Sequence, residues 1–435
     1  MKNTLKMFAL PLSICLAAMI YNANISAADT SSTSVFANLP AHTTVPVANK
    51  PTDNNTATPI PNAALIPNTK PTQIVTPTPP NIAANGYILI DVNSGKVLAA
   101  QNPDQKMEPA SLTKLMTLYI TFEALHEGRI HLTDPVTISE HAWRTGGSRM
   151  FAQVGTTPTV EQLIQGIIVQ SGNDACVAMA EYIAGTEDSF VNLMNQQAAL
   201  LHMNNTHYFD STGMPNPQHY STPRDLSILA RSIILNFPEY YHYFGEKEFT
   251  YNNIKQPNRN RLLWRDSSVD GLKTGHTSTA GFCLIASAQR NGSRMLSVLL
   301  GAPSDEARAA DSESLLTYGF RFFESHKLYN ANTPIAQAHV WFGQQNQLNV
   351  GVLDNLYVTV TPGQFPNIEV ETQIDPKLKA PITKGQVVGN INVTLDGQTI
   401  SSTPLIALDD VLKANIFARM IDHVSYFFHH FFDKG

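Results

Sequence analysis

Three short polar motifs occur in a fixed order along this chain: Ser111-Leu112-Thr113-Lys114, then Ser171-Gly172-Asn173, then Lys273-Thr274-Gly275. One Ser-x-x-Lys is expected about once by chance in a chain of this length, so it carries little alone. The ordered trio constrains the fold far more, because three distant segments must converge if their polar groups are to work together. Serine is a weak nucleophile unless a base takes its proton during attack. On a helix, positions i and i+3 share a face, so Lys114 can reach the Ser111 hydroxyl. Burial and a second nearby cation, Lys273, push a lysine toward its neutral, basic form. Ser111 is therefore the expected nucleophile of an acyl transfer and Lys114 its base. Ser171 is expected to relay a proton between Lys114 or Lys273 and a leaving amine, and Asn173 to orient Lys114 and hold a substrate amide. Lys273, Thr274 and Gly275 offer positive charge and a hydroxyl where a terminal carboxylate would dock. The N–H groups of Ser111 and His276 are the expected oxyanion hole.

The organisation around the motifs predicts an α+β domain. Tyr87–Asp91 and Lys96–Ala99 flank Asn93-Ser94-Gly95 in a hairpin pattern. Pro109 followed by Leu112, Leu115, Met116 and Tyr119 at helical spacing places Ser111 in the first turn of a buried helix. Further helices are expected over 160–169, 175–183, 190–201, 224–235 and 315–324. Strands over 280–289 and 295–300 flank Asn291-Gly292, a two-residue hairpin signal, and Lys273-Thr274-Gly275 falls on the strand before it. An antiparallel sheet assembled from both ends of the domain, with an inserted helical region carrying Ser111 and Ser171, accounts for this order. Beyond it, alternation at Ala338-Val340-Phe342, Leu356-Val358-Val360, Ile368-Val370 and Ile391-Val393-Leu395, with Asp396-Gly397 as a turn, predicts a small all-β domain.

The 435 residues, 43% of them hydrophobic, allow several cores, and a formal charge of -6 leaves no basic footprint for nucleic acid. Lys2 and Lys6, the apolar run to Ile20 and the small residues ending Ser26-Ala27-Ala28 read as a secretory signal over 1–28. The Thr/Pro-rich stretch 29–82 reads as a disordered tether, followed by a catalytic domain over 83–326 and the all-β domain over 327–405. In 406–435, Phe417, Met420, Ile421, Val424, Phe428, Phe431 and Phe432 join Val411 and Leu412 on one helical face, with Arg419, Asp422 and His423 opposite. That pattern predicts an amphipathic helix lying in a membrane surface. Export leaves Cys176 and Cys283 where a disulfide is chemically allowed, but both lie in apolar runs and read as buried thiols. The 14 histidines are scattered without the spacing of a metal site, so neither metal nor other cofactor is expected.

With these motifs in place the chain resembles the low-molecular-mass penicillin-binding proteins, the serine-type D-Ala-D-Ala carboxypeptidases of peptidase family S11, and is similar to the penicillin-binding protein 5 and 6 group. The resemblance extends through Asn258-Arg259-Asn260, the run Asp270-Gly271-Leu272-Lys273-Thr274-Gly275-His276-Thr277 and Phe427-Phe428-His429-His430-Phe431-Phe432. It implies a transpeptidase-like catalytic fold, with Arg259 helping to bind the substrate carboxylate. It also implies an enzyme at the periplasmic face of the inner membrane that removes the last D-alanine of peptidoglycan pentapeptides and is acylated by β-lactams. Arg261 departs from the small residue expected after Asn260 and would make the cleft rim more cationic. A class A β-lactamase would need a glutamate beyond the middle motif, yet none occurs between Glu187 and Glu239, and that motif is Ser-Gly-Asn rather than Ser-Asp-Asn. Asp270 reads equally as a turn residue or a site residue, and His219 as a loop residue near the cleft.

Overall fold

A computed structural model describes residues 76–417, 419–423 and 426. The first sheet has the strands β1 (Gly86–Asp91), β2 (Val97–Gln101), β5 (Val269–Thr277), β6 (Gly281–Arg290) and β7 (Ser293–Ala302) in the order β2-β1-β7-β6-β5, and every pairing is antiparallel. A separate hairpin joins β3 (Glu248–Tyr251) and β4 (Ile254–Pro257). Around the sheet lie α1 (Lys114–His126), α2 (Glu140–Arg144), α3 (Val160–Gln165), α4 (Asn173–Ala184), α5 (Glu187–Leu200), α6 (Pro223–Asn236), α7 (Leu262–Arg265) and α8 (Asp305–Phe322).

Strand alternation creates two cores, one on each face of this sheet. Ile88, Ile90, Cys283, Ile285, Leu296 and Val298 point to one side, where they pack with α1, α4 and α6. Tyr87, Leu89, Leu284, Ala286, Met295 and Leu299 point to the other, against Leu315, Leu316 and Tyr318 of α8. Successive side chains of a strand face opposite ways, so apolar runs such as Tyr87–Ile90 are what a sheet covered on both faces requires. Every residue from Leu115 to Phe122 is buried, which makes α1 the axial helix of its core. Asn291 and Gly292 turn between β6 and β7 with φ of 49° and 81°, the left-handed pair of a type I′ hairpin.

Two expected helices differ. The helix expected over 315–324 starts ten residues earlier, at Asp305, and ends at Phe322. Ser304 caps it by accepting from Ala307 N, but the buried Arg308 and Ser312 on its core face interrupt the apolar period. The helix expected over 160–169 ends at Gln165 and continues as a wider π turn, Gly166–Gln170, that delivers Ser171 in the left-handed region at φ 62°.

The second domain is all-β. Strands β12 (Ile368–Ile374), β13 (Val387–Leu395), β14 (Gln398–Ala407), β10 (Gln347–Gly351) and β9 (Ala336–His339) form one sheet in that order, and β8 (Glu324–Tyr329) pairs with β11 (Leu356–Val360). Val350, Val358, Ile391, Val393 and Leu405 fill its core. Leu408 and Val411, expected on the C-terminal helix, are instead buried in this domain, where Val411 and Ile382 exchange backbone hydrogen bonds. Residues 408–415 are not helical, and helical backbone is seen at 416, 417, 419–423 and 426. Asp422 Oδ2 accepts from Phe342 N at 2.9 Å, and the His423 ring packs on Phe342. Ile416 and Phe417, 78% and 77% exposed, face away. The expected signal over 1–28, most of the tether and Phe427–Phe432 lie outside the described residues. At the tether's end Ile82 is buried and Pro77 O accepts from Tyr318 Oη.

Candidate active site

Ser111 occupies a short 3₁₀ turn, Ala110–Thr113, that runs directly into α1, rather than the first turn of the α-helix itself. This keeps its hydroxyl at the positive helix terminus while Lys114 begins the regular helix. Lys114 is fully buried, and its Nζ donates to Ser111 Oγ at 3.0 Å and to the Thr212 carbonyl at 2.6 Å. Burial is the leading reason its ammonium is pushed below the ordinary lysine value, and the Arg259 charge adds to it, against opposition from Cys176, Asp210 and Asp174.

The second motif arrives from the opposite wall. Ser171, buried, accepts from Lys273 Nζ at 2.9 Å, and the same amine donates to Thr274 O at 3.0 Å. Lys273 is held well below the lysine range, first by burial and then by repulsion from Lys114 and Arg259. Two serine–lysine pairs therefore stand side by side, one amine under each hydroxyl. Asn173 makes no hydrogen bond to Lys114: its Nδ2 donates to Gly146 O at 2.7 Å and toward Met214 Sδ at 3.7 Å. The partner that orients Lys114 is a backbone carbonyl, which no side-chain motif announces.

Strand β5 ends the sheet and presents its open edge to the Ser111 turn. A Cβ on Gly275 would lie 3.1 Å from Pro109 O and 3.3 Å from Ser111 N, so glycine permits this approach. Ser111, Ser148, Ser171, Arg259, Thr274, Gly275, His276, Phe282 and Arg308 line one cleft of about 270 Å³. Of the expected site residues, Ser111, Ser171, Arg259, Thr274, Gly275 and His276 face this space, and Lys114 and Lys273 lie beneath it. Asn258 and Asn260 are buried, the first donating to Glu246 O and the second to Gly271 O, which leaves the intervening Arg259 turned outward. Among the described residues Arg259 has no hydrogen-bond or ion-pair partner. Arg308, by contrast, donates to Gly275 O at 3.1 Å and pairs with Asp305.

Ser148, Phe282 and Arg308 escaped the sequence reading because no motif brackets them. Arg261 does not enlarge the cleft's charge, since it pairs with Asp305 at 2.6 Å and Glu306 at 3.2 Å. Asp270 is a structural partner of Arg294 and Tyr241, at 2.7 and 3.0 Å. His219 lies buried beneath the Ser111 turn, with Nε2 2.8 Å from Thr113 Oγ1. Cys176 and Cys283 are buried free thiols, and burial pushes them up to about 12 and about 11.

Comparison with known proteins follows the same outline. The family model Peptidase S11, described as D-alanyl-D-alanine carboxypeptidase, matches residues 73–304, and the model of the penicillin-binding protein 5 C-terminal domain matches 323–413. The D-alanyl-D-alanine carboxypeptidase DacA of Escherichia coli (strain K12) is 44% identical over 364 residues, covering 82% of this chain and 90% of that protein. The crystal structure of penicillin-binding protein 5 from Haemophilus influenzae superimposes with a TM-score of 0.72 at 43% identity, over 77% of this chain and 99% of that one. Penicillin-binding protein D2 from Listeria monocytogenes, in its ampicillin-bound form, gives 0.52 at 31% identity over 55% of this chain and all (100%) of that chain.

Proposed function

The chain belongs to peptidase family S11, the D-alanyl-D-alanine carboxypeptidases, and from that premise we propose how its own residues perform the reaction. It is a D-alanyl-D-alanine carboxypeptidase of the penicillin-binding protein 5/6 type, with the peptidoglycan pentapeptide stem as substrate. Lys114, its ammonium pushed below the ordinary lysine value by burial, takes the Ser111 proton as Oγ attacks the carbonyl of the penultimate D-alanine. The resulting oxyanion is held by the N–H groups of Ser111 and His276. As the C–N bond breaks, the proton passes from Lys114 by way of Ser171 to the departing amine, and D-alanine leaves. Water then hydrolyses the Ser111 ester to release the shortened peptide. Arg259 and Thr274 bind the terminal carboxylate, for which a guanidinium without a partner among the described residues and a hydroxyl are suited. The observation that carries this reading is the 3.0 Å contact between the buried Lys114 Nζ and the cleft-lining Ser111 Oγ.

β-Lactams acylate the same serine, and the ester they leave is long-lived. Among the described cleft-lining residues there is no carboxylate to activate water, and Glu187 is engaged with Ser211 N and Oγ. D-Alanine release from a pentapeptide ending in D-Ala-D-Ala tests the reading. The wild-type chain should release one D-alanine per peptide and Ser111→Ala none, and release by the variant would refute the assignment.

The protein is proposed to be exported by the signal over 1–28 and held peripherally at the periplasmic face of the inner membrane. Exposed Ile416, Phe417, Met420 and Ile421 support an in-plane helix, and no helix among the described residues is long and apolar enough to cross a membrane. Because Val411 belongs to the β-domain core, the informative truncation removes 416–435 and leaves 408–415 in place. The truncated enzyme should leave the membrane fraction with activity intact, and continued sedimentation with membranes would place the anchor elsewhere.

A further inference from the structure

The loop that supplies the Lys114-binding carbonyl is itself held by a partly buried acid, Asp210. Asp210 Oδ1 accepts from Thr212 N at 2.7 Å, Thr212 Oγ1 at 2.8 Å and Gly213 N at 2.6 Å, with Met214 N at 3.4 Å. These bonds curl the chain so that Thr212 O meets Lys114 Nζ. The other oxygen, Oδ2, lies 3.5 Å from His219 Nδ1, and His219 Nε2 lies 2.8 Å from Thr113 Oγ1. Thr113 immediately precedes Lys114, so the contacts close a ring: Lys114, Thr212, Asp210, His219, Thr113 and back along the chain. Gly213 presses the loop onto the catalytic turn at φ 88°, where a Cβ would lie 1.9 Å from Ala110 O.

We propose that Asp210 and His219 form a positioning pair for the acylation step, fixing the Thr212 carbonyl on the base and tying that loop to the turn that carries Ser111. The proposal rests on the reading of Lys114 as the base. Asp210 acts on it in two ways. Through Thr212 it sets the direction of the Nζ lone pair, and through space its carboxylate favours the charged ammonium. The groups facing Lys114 are Asp210 from this loop, Asp174 and Cys176 from α4, Arg259 from the segment before α7 and Lys273 from β5. Burial pushes the Asp210 carboxyl up, but His219 and the Thr212 and Gly213 N–H groups outweigh it and hold the carboxyl below its ordinary value. It therefore stays ionised across the working range of pH. A neutral Lys114 is the competent form, so acylation rises with pH, and loss of the Asp210 charge moves that rise to lower pH.

The test is the rate of Ser111 acylation by benzylpenicillin, followed by intact mass against pH, in the full-length chain and in Asp210→Ala, Asp210→Asn and His219→Ala. Asp210→Ala should slow acylation on the order of 10²-fold, the scale of a misplaced reacting group. Asp210→Asn keeps an acceptor for the loop, so it should recover to within about tenfold of wild type at the alkaline plateau while its acid limb shifts to lower pH. His219→Ala, which leaves the acid in place, should slow acylation without moving that limb. Thermal unfolding of each variant separates loss of fold from loss of alignment. An Asp210→Asn variant as slow as Asp210→Ala, or one whose acid limb does not move, would overturn the positioning pair while leaving Lys114 as base. A wild-type chain that is never acylated at Ser111 would overturn both.

Discussion

The two folded domains bury very different things. In the catalytic domain Lys114, Ser171, Asn173, Asp174, His219, Asp225, Lys273 and Arg308 lie inside, among the aliphatic residues that hold the sheet and helices together. Among the described residues of 324–411, the buried polar side chains are Thr359 and Thr361 alone. An amine removed from water destabilises the fold unless it is paired or loses its charge. The catalytic core therefore keeps groups that an ordinary core would replace with leucine or methionine. The β-domain has no such groups, and its packing serves shape. The contrast locates the chemistry without reference to any motif.

The largest break in that contrast should come from Lys114→Met. Acylation by benzylpenicillin should fall by about 10²- to 10⁴-fold, whereas urea unfolding at neutral pH should show stability unchanged or raised. Ile391→Ala should do the reverse, costing about 2–5 kcal/mol in calorimetry of the β-domain while the acylation rate constant stays at the wild-type value. Arg259→Ala tests the exposed charge of the cleft. Pentapeptide turnover should fall about tenfold or more, and further than acylation by benzylpenicillin; equal losses would argue against a carboxylate role. A pH series sharpens the contrast. Lys114 and Lys273 titrate lower when folded than when unfolded, so the unfolded chain binds more protons between the two values. Stability from these groups is complete above the ordinary lysine value and is lost as pH falls through the folded one. Lys114→Met should flatten that slope. The smallest effect belongs to Arg261→Ala, which breaks an exposed pair and should change stability by no more than about 1 kcal/mol and acylation not at all.

The residues themselves show which parts of this arrangement sequence could carry. Asn291-Gly292, the apolar strand run Tyr87–Ile90 and the i, i+3 spacing of Ser111 and Lys114 are local patterns, and each appears in the structure where the sequence places it. The start of α8 was hidden because Arg308 faces inward to the Gly275 carbonyl, a contact made 33 residues away in sequence. Val411 fits the expected helical face by spacing and Leu408 falls within the same expected helix, yet both pack in the β-domain, since strand edge and helix stripe compete for the same apolar residues. Lys114's second partner, the Thr212 carbonyl, has no side-chain signature, whereas Asn173, the side chain expected to orient Lys114, donates to Gly146 O.

The most direct test of the account is a time course of intact-mass spectra of the full-length chain with benzylpenicillin, repeated with Ser111→Ala and Lys114→Met. The account predicts a single adduct of the drug's mass that persists after excess drug is removed, is absent from Ser111→Ala and accumulates far more slowly in Lys114→Met. An adduct that survives Ser111→Ala, or one that forms at the wild-type rate in Lys114→Met, would contradict it.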